Sequence, residues 1–175
     1  VGMASVARFY EATHTARVRI TRDLRFVYSD PKAYSRRNYY RDLFNTVRTS
    51  HWLEGGLQSL PDALNALYDA QKVESKRANF EAIGAAYIEG WASKDAVPFP
   101  VARSAFEVED VRIRVTPEIG MRTPTDEYVL KLWFNAPMPT RQYRQAIEYM
   151  MEAGRGASWD DDWKSRIWDV RRQSI

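Results

Sequence analysis

Pro117-Glu-Ile-Gly-Met-Arg122-Thr-Pro-Thr-Asp126-Glu-Tyr-Val-Leu-Lys131-Leu-Trp-Phe134 is the stretch whose reading decides the fold. Thr123 to Asp126 carries turn chemistry, with Pro124 and two side chains that bond to nearby backbone. The flanks alternate at strand period. Ile119–Arg122 therefore reads as one strand and Asp126–Asn135 as the next, with Tyr128, Leu130, Leu132 and Phe134 on one face. A four-residue loop sets Arg122 opposite Glu127, Gly120 opposite Val129 and Glu118 opposite Lys131. Both charged pairs then match in sign, whereas like charges in those places would repel. Ile119 with Leu130 and Met121 with Tyr128 fall on the other face. Lys131 has Val129 and Trp133 as same-face neighbours, so a partly buried lysine facing a carboxylate is expected.

Working outward, Val111, Ile113 and Val115 alternate with Arg112 and Arg114, a further strand. Thr140 reads as the cap of a helix bearing Tyr143, Ala146, Ile147 and Met150, closed by Gly154. Beyond it, Ser158 with Asp161 fits the start of a helix carrying Trp159, Trp163, Ile167 and Val170; a last strand over Ile167–Arg171 fits equally. Upstream, Ser59 and Asp62 have the spacing of a helix-capping pair before Leu64, Leu67 and Tyr68. After an interruption over Gln71 to Asn79, a second apolar stripe runs through Phe80, Ile83, Tyr87, Ile88 and Trp91. Pro98-Phe-Pro100 ends helical structure. Asp30-Pro31 signals the start of a helix running to Leu53, with Tyr40, Phe44, Val47 and His51 on one stripe. From Ala16 to Tyr28 six of seven even positions are apolar or aromatic against one of six odd positions. The reading taken is a strand with Arg17, Arg19 and Arg25 on its wet face; a helix is the rival.

The sum is an α+β fold: a mixed, mostly antiparallel sheet of about four strands packed against helices. A ferredoxin-like arrangement is the alternative, if the strand at 16–28 joins the sheet. The 175 residues are read as one domain, a basic part over 1–56 followed by an α/β core over 57–175. No apolar run approaches the length of a membrane span and no secretory leader is visible, so no membrane partner and a cytoplasmic location are expected. The absence of cysteine excludes disulfides, thiolate metal sites and thiol nucleophiles.

Net charge is +3, unevenly spread. Residues 1–50 hold 10 basic and 4 acidic side chains, residues 51–110 hold 5 and 10, and residues 111–175 hold 11 and 9. The N-terminal third is thus the expected electropositive surface. Within it, Tyr34-Ser-Arg-Arg-Asn-Tyr-Tyr40-Arg41 interleaves cations with rings: Arg36, Arg37 and Arg41 suit phosphates, and Tyr39 suits stacking on a base. The same pattern also describes an amphipathic helix with solvated arginines. His14 and His51 are far apart and lack metal-ligand spacing. Asp160-Asp161-Asp162 reads as the acidic start of a helix.

The order helix, strand, strand, strand, helix, strand over residues 60–172 resembles the core of the PD-(D/E)XK nuclease-like superfamily. Pro117-Glu118 resembles its Pro-Asp element, Val129-Leu130-Lys131 its (D/E)-x-K element, and Gln145-Ala-Ile-Glu-Tyr149 the Gln-x-x-x-Tyr helix of its exonuclease-like branch. The resemblance implies nucleic acid as a partner, with Glu118 as a magnesium ligand, Lys131 orienting a water, and Gln145 and Tyr149 on the nucleic acid or supporting the site. The third-strand acid is Val129 here, which implies a degenerate, non-catalytic member. Glu81, Glu89, Asp126 and Glu127 are the acids available to replace it. A Mg²⁺-dependent phosphodiesterase is one alternative. A non-catalytic protein-interaction module or homo-oligomer is another, with the acidic middle meeting the basic third of a neighbour.

Overall fold

The computed structural model describes residues 1–29, 39–51, 56–156 and 159–175, with backbone only at 23–29 and 56. Four strands form a mixed sheet in the order β1 (Val97–Phe99), β4 (Ile119–Arg122), β5 (Glu127–Trp133), β6 (Lys164–Asp169). β1 and β4 pair antiparallel, as do β4 and β5; β5 and β6 run parallel. The parallel pair is joined across the sheet by the helix Arg141–Ala153, as a parallel connection requires. Between β1 and β4 the chain makes a separate two-stranded hairpin, β2 (Ser104–Val108) with β3 (Val111–Val115). The class is therefore α+β, as expected.

In chain order the helices are α1 (Met3–Glu11), α2 (His14–Ser29), α3 (Arg41–Ser50), α4 (Leu60–Asp69), α5 (Glu74–Ala92) and α6 (Arg141–Ala153). Helices α3, α4 and α5 cover one sheet face, burying Leu43, Val47, Leu64, Phe80, Tyr87 and Trp91 against Leu130, Leu132, Phe134 and Trp168. Helices α1 and α6 cover the other with Met3, Ala7, Tyr143, Ile147 and Met151 against Val129 and Ile167. Strand β5 is thus buried on both faces, although its sequence alternates. Two glycines permit close approach: a side chain at Gly84 would overlap the Tyr68 hydroxyl of α4, and one at Gly120 would overlap the Phe99 ring.

The hairpin register is the expected one, with Ile119 opposite Leu130, Met121 opposite Tyr128 and Arg122 opposite Glu127. Thr140 caps α6, its hydroxyl accepting from the Tyr143 N–H at 3.1 Å, and Gly154 closes the helix.

Other expectations are corrected. Residues 14–29 are helix, not strand. The Arg17 guanidinium donates to the Phe9 and Tyr10 carbonyls at 3.1 and 3.2 Å, satisfying acceptors at the end of α1. A strand needs a ladder partner, and among the described residues none pairs with this segment. The ferredoxin-like alternative loses its first strand with it. Pro98-Phe-Pro100 does not merely end a helix: Val97–Phe99 is the edge strand β1. Strand 111–115 pairs with β2 rather than joining the main sheet. Of the two readings of the tail the strand holds, over 164–169 rather than Ile167–Arg171, and Asp160-Asp161-Asp162 starts no helix. Ser59 already has helical backbone angles (φ −84°, ψ −11°), so the expected capping pair is not made. The Asp30-Pro31 start signal lies outside the described residues.

Candidate functional site

Glu118 stands just before β4, where its N–H donates to the Leu130 carbonyl at 2.9 Å. Lys131 projects from the adjoining strand β5. The two form an ion pair with side chains only 14% and 19% exposed. Each carboxylate oxygen is engaged: Oε1 accepts from Lys131 Nζ, and Oε2 accepts from the Leu132 N–H at 3.0 Å. Lys131 also donates to the Thr116 carbonyl at 3.2 Å. A half-buried charge pair persists where its remaining polar capacity is met, and here backbone supplies it. Tyr143 packs edge-on against Trp133 on this side of the sheet, with ring centres 5.2 Å apart. Burial pushes its phenol up to about 12, so it stays protonated at neutral pH.

The site is tight rather than open. Val129 is wholly buried in the cluster formed with Ile147 and Met151. The place the resemblance gives to an acid is therefore dry, and α6 lies over it. The acids considered as replacements are engaged elsewhere. Glu81 pairs with Arg77, Glu127 with Arg122, and Asp126 with Lys164. Glu89 accepts from Gln173 at 2.8 Å. Helix α5, which bears Glu81 and Glu89, covers the face opposite Lys131. Among the described residues no three acidic or histidine side chains gather as a metal site. Mg²⁺ prefers several open oxygen ligands in octahedral geometry. One carboxylate with both oxygens occupied does not fit it.

Gln145 and Tyr149 share the outer face of α6, opposite the buried Tyr143, Ile147, Met150 and Met151; Tyr149 is 69% exposed. They are not brought to the Glu118–Lys131 pair. Arg36 and Arg37 lie outside the described residues. Arg41 is exposed at the start of α3. Tyr39 is half exposed and held by neighbours: its ring meets Tyr40 and Phe80 edge-on, and Asn79 donates to its hydroxyl at 3.4 Å. Lys76 Nζ lies 5.7 Å from the same ring. His14 is solvent-exposed, whereas His51 is buried and bonded to the Tyr87 hydroxyl at 2.6 Å.

The structure exposes Arg22, which the strand reading set on the apolar face, alongside Arg19, which it already set on the wet face. With α2 a helix, Arg19 and Arg22 stand exposed beside Val18 along a shallow groove that Thr13, Thr15 and Ala16 complete. Neither arginine takes part in an ion pair among the described residues. The basic N-terminal third and the wet-face Arg19 signal this pair in the sequence; Arg22 needs the helical reading of Ala16 to Tyr28. No protein family, no curated protein and no solved structure matches this chain. Among the described residues no helix is long and apolar enough to cross a membrane.

Proposed function

We propose that the chain is a nucleic-acid-associated domain with a nuclease-like order of elements and no catalytic role. The observation that carries the reading is the exposed pair of cations on α2, Arg19 and Arg22, in a stretch, 14–22, whose side chains are mostly exposed. Unpaired arginines on a protruding helix neutralise phosphates at the cost of little desolvation. Arg41 and the half-exposed Tyr39 extend the cationic and aromatic surface. The order of the elements adds support. Leaving aside the β2–β3 hairpin, α5, β1, β4, β5, α6 and β6 follow one another as helix, three antiparallel strands, helix and parallel strand. Glu118, immediately before the second of those strands, and Lys131, on the third, form a pair that is closed on itself.

Fluorescence anisotropy with short DNA and RNA, single- and double-stranded, across a salt series tests this. Binding is expected at low salt and weakens as salt rises. The double substitution Arg19→Ala, Arg22→Ala should weaken every sequence alike and reduce the salt slope by about 1 per arginine. No binding at about 20 mM salt, where phosphate contacts are strongest, overturns the association. Incubation with Mg²⁺ or Mn²⁺ should leave the nucleic acid intact; cleavage abolished by Glu118→Ala would overturn the non-catalytic part.

A further inference from the structure

An exposed strand edge invites pairing with another chain, and folded proteins cover or interrupt such edges. Three of the edges in this molecule are treated in that way. The outward N–H groups of β6 are taken one by one: Ser165 donates to Glu152 at 3.1 Å, Ile167 to Glu148 at 3.4 Å, and Asp169 to the Ser174 carbonyl at 2.8 Å. Strand β1 is three residues long with Pro98 at its centre. The outer side of β3 is covered by Val1 and Gly2: Arg114 donates to the Val1 carbonyl at 2.8 Å, and the Val1 amino group donates to the Arg112 carbonyl at 2.8 Å.

The fourth edge is different. Because Arg112 and Arg114 turn their backbone groups away from β2, their partners across the hairpin, Glu107 and Ala105, turn theirs outward as well. Among the described residues nothing pairs with that outer side. The hairpin also runs past the core. On its apolar face Val115 and Ile113 are buried, but Val111 and Val108 at the tip are 46% and 51% exposed. Ser104, whose hydroxyl donates to the Gly154 carbonyl, and Ala102, whose carbonyl accepts from Trp159 Nε1 at 3.0 Å, mark where the body ends.

We propose that this edge is a self-association surface, on which β2 pairs antiparallel with β2 of a second copy about a two-fold axis centred on Ala105. That register makes Ala105 face its own counterpart. It sets Arg103 of each copy opposite Glu107 of the other, two ion pairs generated by one symmetry operation. Glu107 lies on the polar face of the hairpin, Arg103 stands immediately before β2, and both are exposed in the single chain. The backbone groups of Ala105 and Glu107 gain the ladder bonds they lack. The contact is one strand wide, which places it among small, reversible interfaces. It requires no nucleic acid and does not use α2, so it stands or falls apart from the binding reading.

Sedimentation velocity on the protein alone, from about 1 µM to about 500 µM, tests it, a range that brackets weak association. A concentration-dependent shift from the 20.4 kDa monomer to a dimer is expected. Ala105→Pro removes an N–H the hairpin does not use and should abolish the dimer. Arg103→Glu and Glu107→Arg alone each set like charges opposite and should weaken it by about tenfold or more; the double swap restores opposition and should recover it. Should Ala105→Pro fail to fold, as judged by its thermal midpoint, the charge swap still decides. A monomer throughout the range, or a dimer indifferent to these substitutions, overturns the proposal.

Discussion

At the scale of single residues, the Glu118–Lys131 pair and His51 carry the clearest consequences. Removing one member of a shielded ion pair strands the other, and stranding costs more than the pair itself contributes. Lys131→Met should therefore destabilise the fold by about 2 kcal/mol, the partial exposure of both groups moderating the loss. Adding Glu118→Gln should return part of that, a coupling read from urea denaturation of the two singles and the double. His51 bears on acid stability. Burial drives its pKa down from 6.5 to about 4. In the unfolded chain the imidazole takes its proton near pH 6.5, whereas the folded protein resists it until about pH 4. The stabilisation is thus complete above pH 6.5 and is lost as pH falls from there toward 4, by about 3 kcal/mol in all. Urea midpoints measured between pH 7.5 and 4 should show this slope, and His51→Phe should flatten it.

At the scale of elements, β6 was half legible. Trp159, Trp163, Ile167 and Val170 fit a helical stripe at spacings of four and three, while the β-branched and aromatic residues Ile167, Trp168 and Val170 suit a strand equally. What makes the segment a strand is β5 alongside it, separated from it by the whole of α6, and α6 itself folded back over it. Helix α6 supplies more than packing, since Glu148 and Glu152 reach down and occupy the outward N–H groups of β6. The carboxyl of Glu152 is desolvated, which alone would raise its pKa, yet its bonds to Ser165 and Arg155 bring it below the ordinary range. Replacing both acids by Ala should uncover that edge. The expected outcome is a loss of about 1 kcal/mol per bond and concentration-dependent aggregation, followed by light scattering. Helix α2 was misread for a related reason. Ala16, Ile20 and Val27 satisfy a helical stripe while the even positions satisfy a strand, and among the described residues no strand lies ready to pair with the segment. Strands β1 and β2 were missed because three residues around a proline, and five residues beginning with Ser104, carry too little alternation to register.

At the scale of the whole molecule, the chain folds two apolar clusters onto one sheet, and β5 belongs to both. That arrangement explains the fate of the candidate site. A lysine and a glutamate could be placed opposite each other from the turn and the matched charges, because those partners are few residues apart. Whether the space beside them is open depends on α6, which folds back after β5, and on α1, which comes from the far end of the sequence. They arrive with Ile147, Met151, Met3 and Ala7, and fill it. The uneven charge of the sequence survives into the fold as a basic α2 set apart from the closed pair. The exposed arginines of α2 and the closed Glu118–Lys131 pair therefore occupy different places.

By itself the sequence determined what nearest neighbours along the chain can enforce: the β4–β5 register, the Thr140 cap and Gly154 end of α6, the apolar stripes of α4 and α5, and the pairing of Glu118 with Lys131. Tertiary structure alone decided that residues 14–29 wind as helix, that the tail lies as a strand, that Val129 is dry and that both oxygens of Glu118 are occupied. The division follows from how energy is distributed. Turns, caps and cross-strand charges act over a few residues, whereas burial and ladder pairing are conferred by partners tens of residues away, which no local pattern contains.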